Sequence, residues 1–218
     1  MTRTLSLLLL ALGVVTLAAL WSGGSAWMEA RRDAPAHAAR ADALLAQGAG
    51  PAALGPGRFE QLLAIQDPGF YTHTGVDLRS PGAGITTMTQ SLAKRLAFDE
   101  FQQGWPKIRQ TGYAMGLETR LSKDQIAALW LATAEMGRWG QGWTTGFFEA
   151  SQTAFARAPA DLTEAEFLSL VTVLIAPATL IGPGTEDAHA IRHARVTRRV
   201  SGDCQPTSPM DVWLEGCA

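Results

Sequence analysis

The feature that most constrains this chain is an apolar run near its N-terminus. Leu5 to Trp21 is almost wholly apolar, and no charged residue occurs between Arg3 and Glu29. A helix of about 20 apolar residues crosses a bilayer, and the run reaches that length if the residues up to Trp27 lie at the interface. The sequence therefore predicts a transmembrane anchor over residues 1–28.

A cleaved signal peptide is the alternative interpretation of the same segment. Gly24, Ser25 and Ala26 would offer small residues to a signal peptidase. The apolar run is long for that role, however, and Trp21 and Trp27 suit the aromatic belt of a membrane interface. We therefore favour a retained, single-pass anchor.

Two cysteines near the C-terminus indicate the compartment of the folded part. Cys204 and Cys217 lie in residues 201–218, a tail with Pro and Gly in which a disulfide could close a short loop in an oxidising compartment. Two free thiols in a loose tail are the alternative. Arg3 before the apolar run, and the more numerous arginines after it, slightly disfavour an exported domain. We nevertheless expect the cytoplasmic (inner) membrane, with the domain on the periplasmic side.

Composition and charge exclude several classes of protein. Hydrophobic residues make up 47% of the chain and charged residues 17%, which is enough apolar material for one core and too much for a disordered chain. The formal net charge is -2 and no basic stretch interleaves with aromatic residues, which excludes a nucleic-acid binder. No metal site is predicted, because neither the two cysteines nor His189 and His193 have the spacing of a four-ligand set.

Beyond the anchor, the apolar residues recur with a helical period. Residues 29–57 combine an Ala-rich helix with a Gly/Pro linker and are assigned to a stalk. Residues 58–200 contain one apolar helical face, formed by Ile85, Met88, Leu92 and Leu96. They also contain two capping boxes, Ser122 with Gln125 and Thr163 with Glu166. The second capping box opens an apolar run that Pro177 ends. No segment has a convincing period of two. We therefore predict an all-α domain with long loops at residues 74–84 and 137–146.

Two segments early in this domain carry a resemblance to a known family. Residues 66–75 read Q-D-P-G-F-Y-T-H-T-G, and residues 84–94 read G-I-T-T-M-T-Q-S-L-A-K. They resemble the first two motifs of the family-51 glycosyltransferases, the peptidoglycan glycosyltransferases: E-D-x-x-F-x-x-H-x-G and G-x-S-T-x-x-Q-Q-x-x-K. The matching positions, with Thr86 standing for Ser, are Asp67, Phe70, His73, Gly75, Thr86, Thr87, Gln90 and Lys94.

The segments that follow keep the order of the family's later motifs. The third motif, R-K-x-x-E, falls on residues 106–110, and the L-E and S-K pairs of the next one end at Glu118 and Lys123. Residues 146–177 are similar to the final segment. The resemblance covers about half of the chain, residues 58–183, and rests on several weak motifs in the right order.

The resemblance implies a lysozyme-like helical lobe with a small membrane-facing lobe. It implies polymerisation of lipid II into glycan strands outside the cytoplasmic membrane, with inversion of an anomeric carbon. In the family, the Glu of the first motif is the general base, and cationic side chains, sometimes helped by a divalent metal, neutralise the departing diphosphate. The expected partners are lipid II or a glycan strand, the membrane and cell-wall synthesis proteins. No cofactor is required beyond an optional divalent metal at the diphosphate.

The chain departs from the family pattern where the chemistry is most demanding. Gln66 replaces the general base, Gln110 the acidic residue of the third motif, and Pro106 its Arg. A carboxamide has the shape of a carboxylate but no proton affinity near neutral pH. Losing a general base costs roughly 10²- to 10⁴-fold in rate. The remaining candidate charges for the diphosphate are Lys94, Lys107 and Lys123.

Other acids of this domain are candidates for a substitute base. Asp67 is adjacent to Gln66, but neighbours on a helix point about 100° apart. Glu118 precedes Lys123 and can simply decorate a helix end. Glu135, which stands where the family often has Tyr, is expected to be a surface acid rather than a transplanted base. His73 is expected to fix its loop by hydrogen bonding rather than to carry a proton.

Three functions of different classes follow. The first, which we favour, is an impaired glycosyltransferase that still binds lipid II or glycan strands. The second is an active glycosyltransferase that uses Asp67, Glu118 or Glu135, and the third is a membrane-tethered structural protein without substrate. For the first two, the motif register predicts that Gln66 and Gln110 face each other across one cleft. The other residues expected to line it are His73, Thr87, Gln90 and Lys107.

Overall fold

The protein is mainly helical, which confirms the predicted fold class. In the computed structural model, residues 2–102, 104–140 and 142–218 are described. The elements are α1 (Thr2–Ala46), α2 (Arg58–Gln66), α3 (Met88–Ala97), α4 (Pro106–Glu118), α5 (Lys123–Thr133), β1 (Glu135–Trp139), β2 (Gly142–Thr145), α6 (Phe147–Phe155), α7 (Glu164–Val173), α8 (Pro177–Leu180) and α9 (Glu186–Ser201). Short 3₁₀ turns lie at Pro51–Leu54, Pro159–Asp161 and Glu215–Cys217.

The predicted anchor is the first half of one long helix. The large apolar side chains from Leu5 to Trp21 are exposed. Among the described residues, this is the one helix long and apolar enough to cross a membrane, with a mean hydropathy of 2.3 in its most apolar window. A signal sequence would meet the same criterion of length and composition. Pro35 lies inside α1 without ending it.

The second half of α1 packs on the domain and does not stand free as a stalk. Residues 29–46 run along α4 and α5, and Ala30 and Ala41 are fully buried there. A polar contact adds to the apolar ones, because the Tyr113 hydroxyl donates to Asp33 Oδ2 at 2.9 Å. The Ala-rich sequence that suggested a stalk therefore supplies a flat packing face.

Two glycines on α4 let the two helices approach closely. A Cβ added to Gly112 would lie 2.1 Å from the carbonyl oxygen of Gly23, and one added to Gly116 would lie 2.5 Å from that of Trp27. The spacing is G-x-x-x-G, a pattern that brings helix backbones together. Sequence reasoning missed this contact, although the pattern is present in the sequence.

The second predicted long loop is wrong, because residues 137–146 belong mostly to a hairpin. Strands β1 and β2 pair antiparallel, with Arg138 opposite Trp143. Burial does not alternate along either strand, and the pairing has a register shift between Glu135 and Gly137, so no period of two marks the hairpin. Gly137 has a φ of +90°, and a Cβ there would lie 2.5 Å from the Pro177 carbonyl oxygen. Residues 74–84, in contrast, contain no helix or strand, as predicted.

The predicted helix starts are present. Both capping boxes form, and a third opens α3; they are Ser122 with Gln125, Thr163 with Glu166, and Thr87 with Gln90. Two details differ from the expectation. Ile85 precedes α3 and is exposed, and Pro177 begins α8 rather than only ending the apolar run of α7.

The C-terminal tail is folded against the domain. A disulfide joins Cys204 and Cys217, whose Cα atoms are 5.3 Å apart. The backbone N–H of Gly84, in the long loop before α3, donates to the Pro209 carbonyl at 2.8 Å. The tail therefore forms part of the wall around this loop.

Candidate functional site

A cavity of about 790 Å³ lies where α2, α3, α4, α5 and the hairpin meet. Gln66, the last residue of α2, and Gln110, on α4, both line it, as the motif register predicts. Lys107 also lines it, as predicted. The cavity is of the size that holds a small-molecule ligand or one arm of a larger one.

One wall of the cavity is cationic. Lys94 on α3 is exposed, and its Nζ lies 5.4 Å from the centre of the Phe101 ring. Lys107 is half-buried and donates from Nζ to Thr86 Oγ1 at 2.8 Å. Burial, and then the charge of Lys94, lower the pKa of Lys107. Both amines, and Thr86 with them, are candidate contacts for an anionic ligand.

Arg95 is a third cation in this wall and was not predicted. Its Nε donates to Thr133 Oγ1 at 3.0 Å and its Nη1 to Ser91 Oγ at 2.7 Å. Its Nη2 is buried without a hydrogen-bond partner among the described residues. Burial lowers its pKa to about 10, and the Glu135 carboxylate opposes that shift. The sequence signal was the basic pair formed with the preceding Lys94.

The two glutamines that replace the family's acids have different surroundings. Gln110 is 1% exposed, and its Nε2 donates to the Gln90 carbonyl at 2.6 Å. Its Oε1 is buried without a partner in the described part of the chain. Gln66 is partly exposed. Both amides can donate or accept a hydrogen bond, but neither can take a proton at neutral pH.

Asp67 and His73 lie outside the cavity lining and bind each other. His73 Nε2 is 2.9 Å from Asp67 Oδ2, and His73 Nδ1 accepts the N–H of Gly75 at 3.0 Å. With Nδ1 accepting, Nε2 carries the hydrogen that goes to Asp67. Asp67 also accepts the N–H of Met88 at 2.8 Å. His73 thus fixes its loop as expected, and the expectation that it lines the cleft is wrong.

The side chains of Thr87 and Gln90 also belong to the framework, and neither residue is in the lining of this first cavity. Each side chain of this pair is used by the capping box of α3, and Thr87 Oγ1 donates to the Gly75 carbonyl at 2.9 Å. Gln90 Nε2 donates to Thr111 Oγ1 at 2.9 Å. Gly75 has a φ of +101° and leaves no room for a Cβ, which would lie 3.1 Å from the backbone nitrogen of Met115.

Lys123 is held away from the cavity by a buried network. Its Nζ donates to Glu118 at 2.8 Å and to the His73 carbonyl at 2.9 Å, and it lies 4.6 Å from the centre of the Phe70 ring. Thr89 Oγ1 donates to the same Glu118 carboxylate at 2.6 Å. Phe70 is fully buried in the core. These contacts assign Glu118 and Lys123 to the framework instead of to catalysis or phosphate binding.

Glu135 is the substitute acid that lines the cavity. It is exposed on β1, and the indole N–H of Trp143 donates to it. Asp99 is the other carboxylate of the described lining. No group of three or more His, Cys, Asp or Glu in the described chain could hold a metal ion.

Comparison with known proteins places most of the chain within one family. Residues 53–201 match the family model described as Transglycosylase. The chain is 27% identical over 154 residues to penicillin-binding protein 1B of Escherichia coli (strain K12), which covers 65% of this chain and 18% of that protein. It is 31% identical over 149 residues to the biosynthetic peptidoglycan transglycosylase of Nitrobacter winogradskyi, covering 61% of this chain and 65% of that protein.

A third relative shows the same pattern of coverage. The penicillin-binding protein 1B of Buchnera aphidicola subsp. Acyrthosiphon pisum is 31% identical over 144 residues, which is 60% of this chain and 19% of that protein. The chain therefore spans less than a fifth of the length of these penicillin-binding proteins, and under two thirds of the transglycosylase.

Proposed function

Because this chain belongs to the transglycosylase family, we propose that it is a membrane-anchored domain that binds lipid II or a nascent glycan strand in cell-wall synthesis. We further propose that it has little or no polymerising activity. In this proposal α1 holds the domain at the periplasmic face of the cytoplasmic membrane. The cell-wall synthesis machinery is the setting in which such a binding domain would act.

The observation that carries this proposal is that the carboxylates near Gln66 in the sequence and in the motifs are already bound by other groups. Asp67, its neighbour, is bound by His73 and by a backbone N–H, and Glu118 is bound by Lys123. In the described structure, no carboxylate is hydrogen-bonded to the Gln66 amide. A ligand hydroxyl bonded to the Gln66 amide would have a hydrogen-bond partner that cannot take its proton, which supports binding without turnover.

The cationic wall supports the binding half of the proposal. Lys94, Arg95 and Lys107 line one cavity, and a cluster of cations is the arrangement that attracts a diphosphate. Arg95 supplies a guanidinium in a chain whose third motif has Pro106 instead of Arg. Its position on α3 differs from that of the missing residue.

An active glycosyltransferase is a second candidate, because Glu135 lines the same cavity as Gln66. It would then be the general base of the reaction. Against this role, the Trp143 indole already donates to the Glu135 carboxylate.

Purified full-length protein in detergent separates these functions. We expect binding of lipid II, measured by fluorescence anisotropy, and no glycan polymer above background on a gel. Lys94→Gln and Lys107→Gln should each weaken binding by roughly 10- to 150-fold, since a hydrogen bond to a charged group is worth roughly 1.5–3 kcal/mol. Arg120→Gln, which removes an exposed charge in the turn between α4 and α5, is the matched control.

Two results would contradict the proposal. Polymerisation that Glu135→Gln abolishes would establish the active enzyme. Failure to bind lipid II, with no polymer formed, would favour the third hypothesis of a structural protein without substrate.

A further inference from the structure

A second cavity of about 350 Å³ adjoins the first one. It is bounded by the end of α2, the loop before α3, the segment after α7, α9 and the C-terminal tail. Its walls are mainly apolar and include Ile65, Leu174 and Val212. Gln66 lines both cavities, so the two adjoin. Arg192, on α9, is the one charged side chain among the described residues that line the second cavity.

Arg192 is buried without a partner for two of its nitrogens. It is 3% exposed, and its Nε and Nη1 make no hydrogen bond in the described structure. Burial lowers its pKa to about 10, followed by the charge of Arg195, while Asp211 opposes the shift. The guanidinium is therefore still charged at neutral pH. A buried charge without a hydrogen-bonded partner is costly for folding.

Asp211, next to the cavity-lining Met210 and Val212, acts on the Arg192 charge through space but makes no hydrogen bond to the guanidinium in the described structure. The Asp211 carboxylate accepts the backbone N–H groups of Glu215 at 2.6 Å and Gly216 at 3.0 Å, and that of Thr207 at 2.9 Å. These donors hold the carboxylate inside the disulfide-bonded loop. The Arg192 guanidinium carbon lies 5.8 Å from the centre of the Trp213 ring, and its Nε and Nη1 have no hydrogen-bonded anion among the described residues.

The tail that completes this cavity is a feature of this chain beyond the family match. The matched segment ends at residue 201, whereas Met210 and Val212 form part of the cavity wall. The disulfide between Cys204 and Cys217 and the backbone bond from Gly84 hold this wall in place.

We infer that the second cavity binds the carboxylate of a small ligand with an apolar body, such as the C-terminus of a short apolar peptide, on the Arg192 guanidinium. A single planar guanidinium matches a monovalent carboxylate in charge and shape. The apolar walls suit small aliphatic side chains, and they offer no second cation to a phosphate dianion. The inference goes beyond the proposed function, because it concerns a different cavity and a different chemical group.

The test compares two probes that differ only in charge. N-acetyl-Ala-Ala with a free carboxylate should raise the thermal midpoint of the full-length protein at millimolar concentration, and its C-terminal amide should not. Arg192→Met should abolish the response to the acid while raising the midpoint of the unliganded protein, because an unpaired buried charge is removed. Arg192→Lys keeps the charge without the planar fork and should respond at least 5-fold more weakly. Arg120→Gln is the matched control.

Several outcomes would overturn the inference. These are no response of the wild-type protein, equal responses to acid and amide, and an acid response that survives in Arg192→Met. A shift by inorganic phosphate as large as that by the peptide acid would also refute the assignment of a carboxylate. Lipid II binding by Arg192→Met would leave the proposed function intact, and peptide-acid binding by Lys107→Gln would leave this inference intact, so the two can fail separately.

Discussion

The Gln110 side chain is constrained both by a hydrogen bond and by burial. Its Nε2 donates to the Gln90 carbonyl at 2.6 Å, and its Oε1 is buried without a described partner. A Glu at this position would place a carboxylate oxygen against that carbonyl, which repels it unless the acid is protonated. Restoring the family's residue at Gln110 would therefore disturb the contact between α3 and α4.

The first prediction concerns restoring the missing carboxylates. Gln66→Glu alone should not restore full polymerisation of lipid II, because residues of one catalytic unit are strongly non-additive. The double change with Gln110→Glu should give more product, but it should remain limited by the missing Arg at Pro106 and should have a lower thermal midpoint. Gel analysis of polymer and a melting curve check both parts. Full activity of the single variant would contradict the prediction.

The second prediction concerns pH. Since burial and Lys94 lower the pKa of Lys107, its folded form loses its proton at a lower pH than an ordinary lysine. A diphosphate binds the protonated amine, so affinity for inorganic diphosphate should fall as pH rises from about 7 toward the ordinary lysine pKa of about 10.4. Lys107→Arg stays charged over this range and should flatten the decline. Titration calorimetry at several pH values gives the comparison, and parallel declines in both proteins would refute it.

At the residue scale, the order and spacing of the motifs predict only some of the residues that line the cavity. Gln66, Gln110 and Lys107 line the cavity as expected, because their motifs place them at the ends or inner faces of helices. His73 and Thr87 do not line it, because the His73 side chain is bound to the buried Asp67 and the Thr87 side chain to the capping box of α3. A motif specifies residue types and spacing, whereas it does not specify whether a polar group meets substrate or a neighbouring segment.

At the scale of elements, the close packing of α1 on α4 depends on glycine, which has no side chain, at the contact between the two helices. The atoms that a Cβ on Gly112 would meet are all backbone atoms of Gly23, at 2.1 to 2.9 Å. Backbone atoms cannot move aside as the tip of a flexible side chain can. This pairing therefore tolerates less change than most helix contacts of the protein.

The third prediction follows from that contact. Gly112→Ala should lower the free energy of unfolding by about 1–3 kcal/mol, the usual cost of overpacking. Gly24→Ala on α1 is the matched control: nothing lies within 4 Å of its Cβ position, so it should be neutral or stabilise by up to about 1 kcal/mol. Chemical denaturation in detergent measures both. Equal stabilities of the two variants would mean that the helices do not pack as described.

Local signals predicted the elements better than their pairing. The capping boxes at Ser122 and Thr163 form because side chain and backbone are three residues apart. The contact between Gly23 and Gly112 joins residues far apart in sequence, so periodicity alone could not reveal it. The hairpin was missed for another reason, because burial does not alternate along its strands and the pairing has a register shift between Glu135 and Gly137.

At the scale of the whole molecule, the fourth prediction decides between anchor and signal peptide. Cleavage after Ala26 would remove Gly23, which packs on Gly112, and would uncover that part of α4. We therefore expect the full-length chain to remain with the membrane fraction after a high-salt wash, with an intact N-terminus by mass spectrometry. Recovery of a soluble form that begins near Trp27 would contradict this. It would leave the exported location unaffected.

The continuity of α1 has a mechanical consequence. Its 45 residues form a rod of roughly 67 Å at the rise of 1.5 Å per residue, shared between the apolar segment and the folded domain. With the apolar segment in a bilayer, the domain could move relative to the membrane only by tilting of α1 or by rotation about the axis of α1. Both cavities would then be carried at a nearly constant height above the lipid surface. A lateral force on a bound strand would therefore tilt or bend α1 and would not be taken up by stretching of a linker.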